Sequence, residues 1–341
     1  MRLMKRATGT AFMCAAAVTV SLSMADIAKA ECGDVTIAEM NWASASLMAN
    51  VDKIILEEGY GCNAELIPGD TMPTFTSMNE KGVPDVAPEL WVNAFREPLQ
   101  KAVGEGRLVA SNPAPITGLG EGWWVPAKFV EDHPELNTVE KILERPDLFP
   151  YNEDESKGAF MTCPAGWACQ VANANLYRAF EMEKKGWALV DPGSSAGLDG
   201  SIAKAVDRGE NWFGYYWSPT AVIGKYGLKM VPFEASFAGD DNWNNCIALP
   251  EQDCANPKAT SWNESEVNSV ITAEFRDGGS VAAEYIANRV YPGEVMNEML
   301  VFMVDEQATG EDAAIEFLAT KEDVWSKWVP ADVAEKVKAN L

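Results

Sequence analysis

Only one histidine, His133, occurs in 341 residues, and that scarcity removes several chemistries at once. A Ser-His-Asp relay needs an imidazole beside its nucleophile, and His133 sits in the polar, helix-starting run EDHPEL. No Cys-x-x-Cys spacing offers a thiolate metal site in its place. Basic residues are also scarce: 27 Lys and Arg face 51 Asp and Glu, a formal net charge of −24. Nucleic acid and anionic membrane both require a basic footprint, so neither is an expected partner. A soluble monomer kept apart by its own charge fits better. Beyond residue 30 no apolar run approaches the length of a membrane span, and no internal repeat or low-complexity tract is visible. Gly118-Leu119-Gly120 lacks the strand–glycine–helix setting of a dinucleotide site and reads as a loop, so no cofactor is expected.

The first thirty residues carry a basic start, MRLMKR, an Ala-rich apolar middle and small residues at Ala28 and Ala30. That is the pattern of a secretory signal cleaved near Ala30, and it predicts a periplasmic product. Cys14 leaves with the leader and six of seven cysteines remain. An even count in an oxidising compartment predicts three disulfides. The cysteines fall in three clusters, which favours the pairs Cys32–Cys62, Cys163–Cys169 and Cys246–Cys254.

Strand and helix periods alternate along the chain. Strands are predicted at Val35–Met40, Ala64–Ile67 and Val86–Leu90, with helices at Ala43–Glu58, Thr74–Lys81 and Asn93–Val103. After Gly120 a second set begins: a crossing strand at Trp123–Pro126, a strand at Ala159–Thr162 and a helix at Trp167–Lys185. It continues with Ala188–Val190, the helix Leu198–Arg208 and the strand Asn211–Tyr216. From Glu264 the chain reads as mostly helical. Strands spaced by helices in this way build mainly parallel sheets. The expected fold is α/β with two lobes: residues 31–124 plus 232–341, and residues 125–231.

Twelve tryptophans are present, and four share a position instead of a face. Trp42, Trp91, Trp167 and Trp217 each follow a predicted strand and precede a helix. In open α/β sheets, ligands bind beyond the carboxyl ends of strands, where such turns converge. Several indoles in one cleft suit a methylated ammonium, because each cation–π pair contributes about 0.5–2 kcal/mol. A sugar is the other ligand whose face stacks on indole. Residues Trp167 to Gln170 would open a helix, where free backbone N–H groups attract a negative oxygen. A ligand with a methylated cation and a nearby oxygen is a zwitterionic osmolyte.

With these residues in view, the chain resembles the glycine betaine/proline betaine substrate-binding proteins of ABC importers, whose fold is the two-lobed, type II-like periplasmic one. Cys163-Pro164-Ala165-Gly166-Trp167-Ala168-Cys169 is similar to that family's Cys-x-Pro-Gly-Trp-Gly-Cys-like element. Tyr215-Tyr216-Trp217-Ser218-Pro219 resembles its tyrosine-rich strand ending in Trp-Thr-Pro, and the run ILEEGYGC from Ile55 resembles its Leu-Glu-x-x-Gly-Tyr segment. The resemblance implies that Trp91, Trp167 and Trp217 form a cage around a quaternary nitrogen, with Trp42 as a fourth wall. It implies that Ala168 and Cys169 lend backbone N–H groups to the ligand oxygen. It also implies a permease and an ATPase as partners, and capture without catalysis. Two positions depart from the pattern. Phe95 stands where betaine binders keep a carboxylate-holding histidine, and Ser44 stands where choline binders keep an aspartate. The first removes a partner for a carboxylate and the second argues against choline, so a ligand with its oxygen directly on the nitrogen, trimethylamine N-oxide, is expected first, with glycine betaine second and dimethylsulfoniopropionate third.

A glycosidase or carbohydrate-binding protein is the rival reading, but no pair of acids is placed beside the tryptophan turns. Glu121 and Glu131 flank the first crossing, and Glu131 is carried as a candidate ligand contact. Asp240 and Asp241 lie in an oxygen-rich loop that is a weak calcium candidate, since EF-hand spacing is missing.

Overall fold

The computed structural model describes residues 32–111, 114–278 and 281–341; the expected leader, residues 1–30, lies outside them. Ten strands are found among the described residues: β1 (Asp34–Met40), β2 (Asn63–Gly69), β3 (Val86–Trp91), β4 (Leu108–Ala110), β5 (Gly120–Pro126), β6 (Gly158–Met161), β7 (Trp187–Val190), β8 (Gly214–Ser218), β9 (Leu228–Met230) and β10 (Val267–Thr272). They form two sheets of five, in the orders β2-β1-β3-β10-β4 and β7-β6-β8-β5-β9. In each sheet four strands run one way and one opposes them. The opposed strands are β10 and β5, the two that the chain enters after passing from one sheet to the other. The two-lobed, mainly parallel α/β architecture expected from the alternating periods is therefore present. Residues 120–124, counted with the first lobe from the sequence, ladder with β8 in the second sheet.

Helices follow the strands: α1 (Ala43–Ile54), α2 (Thr71–Lys81), α3 (Arg96–Gly104), α4 (Ala127–Asp132), α5 (Val139–Leu143), α6 (Ala168–Ala179), α7 (Ser195–Arg208) and α8 (Ala221–Tyr226). Three expectations shift in detail. The first helix passes at Ile55 into a wider π-turn, Ile55–Tyr60, which left-handed Gly61 ends. The long helix expected to reach Lys185 stops at Ala179, because Phe180 caps it and Glu181 turns the chain at φ 53°. The tail begins with a strand, β10, before its helices. The VNSVIT sequence of β10 is rich in β-branched residues and buried at every position except Asn268.

The first sheet is covered by α1 and by helices of the tail. Helix Gly310–Thr320 crosses α1 closely: a Cβ on Gly310 would lie 2.1 Å from Ser46 Oγ, so only glycine permits the contact. A buried ion pair ties α1 to the segment that follows β10. Arg289 donates to both oxygens of Asp52 at 2.6 Å, Tyr285 OH donates to Asp52 at 2.6 Å, and Arg289 Nη1 reaches Ser269 Oγ at 2.9 Å. Both charged side chains are fully buried, so losing one would strand the other at a cost of about 3–5 kcal/mol. The second sheet packs an aromatic core around Trp123, which touches Phe160, Phe180, Phe213 and Phe233. No helix among the described residues is long and apolar enough to cross a membrane.

Candidate functional site

The carboxyl ends of β1, β3 and β8 and the turn after β6 meet between the sheets. Trp42 is the residue before α1, Trp91 ends β3, Trp167 precedes α6, and Trp217 lies near the end of β8. The four indoles expected to share a cleft line one small cavity. Thr71, Glu121, Ala168, Cys169 and Tyr215 complete its wall. Trp42 meets Trp167 edge-on with ring centroids 5.2 Å apart, and Trp167 meets Trp217 edge-on at 5.1 Å. Near-perpendicular neighbours form the corners of a box and hold each other in the geometry aromatic rings prefer.

Local sequence places each wall. Trp167 lies in a seven-residue loop closed by the Cys163–Cys169 disulfide. Within it Gly166 takes φ 92°, and an added Cβ there would press on the Asp70 carboxyl at 3.2–3.4 Å. The loop ends at the first turn of α6, whose residues Ala168 and Cys169 line the cavity and whose amides have no upstream helical carbonyl to bond. The other two bridges join Cys32 to Cys62 and Cys246 to Cys254.

Two buried carboxyls belong to the site. Glu121 lines the cavity, because antiparallel register sets it opposite Trp217 across β5 and β8. It is 6% exposed. Its Oε1 accepts from Tyr215 OH at 2.8 Å, and its Oε2 accepts from Asn93 Nδ2 at 2.8 Å. Burial pushes its carboxyl up to about 7, although the Tyr215 bond pulls the other way. Glu89 lies behind the box. Its Oε1 accepts from Trp42 Nε1 at 2.8 Å, Trp91 Nε1 at 2.8 Å and Ser44 Oγ at 3.0 Å. Glu89 and Trp91 stand two residues apart on β3, hence on one face of the strand.

Other candidates lie elsewhere. Glu131 is exposed on α4 and is not part of the cavity wall; β5 ends at Pro126, and the helix after it carries Glu131 away from the Trp217 register. Phe95 packs on Phe75 with centroids 4.6 Å apart, outside the cavity lining. Asp240 and Asp241 start a short helix, where Asp241 accepts from Asn245 Nδ2 at 3.0 Å. Among the described residues no three His, Cys, Asp or Glu side chains gather to hold a metal ion. Sequence reasoning passed over Glu89, Thr71 and Tyr215. The available signal for Glu89 was a glutamate inside the apolar run VAPELW, a position where an unpaired acid is costly.

Two sheet-and-helix lobes with an aromatic cavity between them define a solute-binding protein of the periplasmic binding type. Comparison with known proteins agrees. Residues 33–320 match the family described as the substrate binding domain of ABC-type glycine betaine transport systems, and the chain belongs to that family. Among solved structures, a glycine betaine/L-proline-binding protein (ProX) from Borrelia burgdorferi shares 17% identity, with 89% of this chain and 99% of that one covered at a TM-score of 0.70. Lactococcal OpuAC complexed with glycine betaine shares 17%, covering 87% of this chain and 100% of its own at a TM-score of 0.64. An ABC-transporter choline-binding protein in complex with choline shares 16%, covering 91% and 98% at a TM-score of 0.69. No curated protein sequence matches. The chain is a substrate-binding component of an ABC-type transport system, and its family comprises solute-binding proteins of transporters, not enzymes.

Proposed function

We propose that this protein captures a methylated ammonium osmolyte in the four-tryptophan box and delivers it to a membrane permease driven by an ATPase, as a monomer in the periplasm after its leader is cleaved near Ala30. Lobe one, residues 31–119 plus 232–341, and lobe two, residues 120–231, close on the ligand. Trp42, Trp91, Trp167 and Trp217 surround the methyl groups, whose diffuse positive charge is attracted by indole faces. The Ala168 and Cys169 amides, at the positive end of α6, receive the ligand oxygen.

Trimethylamine N-oxide is the favoured ligand and glycine betaine the next. The observation that carries the preference is Glu121: the cavity wall contains this acid and no Lys, Arg or His. A betaine carboxylate would face another carboxyl with no cation to offset it. An N-oxide oxygen lies one bond from the nitrogen, needs only a short polar reach, and accepts a hydrogen bond from Glu121 in its protonated form. Dimethylsulfoniopropionate carries the same carboxylate difficulty as betaine and ranks third. Titration calorimetry on the leader-free protein tests the order; tighter binding of betaine than of the N-oxide overturns it. Trp167→Ala weakens N-oxide binding more than tenfold on this reading, and an unchanged affinity removes Trp167 from the cage.

A further inference from the structure

Glu89 is fully buried, and nothing in the capture of a ligand by indole faces requires an acid beneath them. Three donors converge on its Oε1, two of them the N–H groups of cage walls. Its Oε2 has no hydrogen-bond partner among the described residues. Burial raises the Glu89 carboxyl above the usual range, while the three N–H and O–H donors on Oε1 and the field of Arg289 act the other way and favour the ionised form. Arg289, whose field reaches Glu89, is itself engaged by both oxygens of Asp52. Glu89 thus has no ion-pair partner of its own among the described residues. An indole N–H donating to an anion gains electron density in its ring, and the ring face then attracts a cation more strongly.

We propose that Glu89 is a positioning and specificity-determining residue of the box: it fixes Trp42 and Trp91 from behind and supplies the buried negative charge that makes the box select a methylated cation over an uncharged group of the same shape. This rests on the reading of the cavity as a methylammonium site. It explains why two walls from separate strands share one acceptor, and why an acid is retained in a strand buried at every position. A structural role alone would hold the rings equally well with a neutral acceptor.

The test uses a pair of probes that differ only in the charged centre: glycine betaine and 3,3-dimethylbutanoate, which replaces the quaternary nitrogen by carbon. Affinities are measured by titration calorimetry and displacement on the full protein, with melting temperature recorded for each variant. In Glu89→Gln, betaine weakens about tenfold, equivalent to ~1.4 kcal/mol, while 3,3-dimethylbutanoate changes less than about twofold, so their ratio collapses. In Glu89→Asp the charge remains but the carboxylate retracts, so both probes weaken together and the ratio is kept. Equal losses for both probes in Glu89→Gln, or no loss for either, overturn the assignment while leaving the cage reading intact. If neither variant folds, wild-type protein still decides. A buried charge is little screened, so the preference for betaine persists in about 1 M salt; a preference that vanishes there arises from the acidic surface and overturns the assignment. Failure of wild-type protein to bind any methylated ammonium overturns the cage reading together with the role of Glu89.

Discussion

Glu121 is a buried acid in the cavity wall, held by Tyr215 and Asn93. Burial raises its carboxyl to about 7, against the 4–4.5 range usual for an exposed glutamate. Between those two values the folded protein binds a proton that the unfolded chain has released. The stabilising contribution is therefore complete below the usual carboxylate range and is lost as pH rises through 7, with a size of about 3 kcal/mol. On the proposed reading, ligand binding follows the same proton: protonated Glu121 would donate to an N-oxide oxygen, and ionised Glu121 would repel it. Calorimetry of trimethylamine N-oxide between pH 5.5 and 8.5 should show affinity falling above pH 7, by up to about tenfold per unit. Tetramethylammonium has a cation and no acceptor oxygen, so its affinity should rise over the same interval. Glu121→Gln keeps a donor at every pH and should flatten both profiles. A flat wild-type profile for the N-oxide would contradict the role given to this residue. Glu121 and Glu131 both flank the first crossing, and nothing in the sequence separates them. Only the β5–β8 register, which pairs Glu121 with Trp217, separates the two. Glu89 was hidden for a different reason: among 51 acids, a single buried one does not stand out by composition.

At the level of elements, the seven-residue loop from Cys163 to Cys169 brings together an indole, two free amides and a helix start. Replacing both cysteines by serine removes a constraint on a short loop and should cost about 2 kcal/mol of stability. Affinity should also fall, by roughly tenfold, because Trp167 and the amides of Ala168 and Cys169 lose the tether that aligns them. The Cys32–Cys62 bridge provides the contrast. It joins the starts of β1 and β2, the ends remote from the cavity. Its removal should lower the melting temperature while leaving affinity within about twofold. Equal effects on affinity from both double variants would show that the first loop acts only through global stability. Elements next to the cavity were the most legible in the sequence, because strand, tryptophan and helix recur there in one order. β10 was not legible: its six residues lie between an irregular segment and a run of helices, and only pairing with β3 and β4 makes it a strand. The early end of α6 was hidden as well, since the residues from Phe180 to Lys185 retain helical composition and only the turn at Glu181 breaks the run.

For the molecule as a whole, the proposed capture depends on how readily the lobes close, and the contacts between them surround the cavity. Asn93 Nδ2 donates to Glu121 Oε2 at 2.8 Å, Trp167 Nε1 donates to Asn41 Oδ1 at 2.8 Å, and the Met72 amide donates to the Gly166 carbonyl at 3.1 Å. Asn93 is itself held in place: Trp243 Nε1 donates to its carbonyl at 2.7 Å, and the Glu266 amide donates to its Oδ1 at 2.8 Å. Trp243 and Glu266 both belong to the long segment between β9 and β10, so Asn93 links the crossing chain to the cavity acid. Asn93→Ala removes the acceptor of the Glu266 amide as well as the interlobe hydrogen bond to Glu121; the interlobe bond is worth about 1.5 kcal/mol when the acceptor is charged. A loss of that size moves the ratio of closed to open forms by roughly tenfold. Apparent affinity falls by up to the same factor, in proportion to the loss of the closed population competent to hold the ligand. Small-angle scattering should therefore show a larger radius of gyration for the ligand-free variant than for ligand-free wild type, and the two should converge at saturating ligand. Weaker binding with no change in scattering would place the effect of Asn93 on the cavity itself, through the freed Glu121 carboxyl, and would remove it from the closure of the lobes.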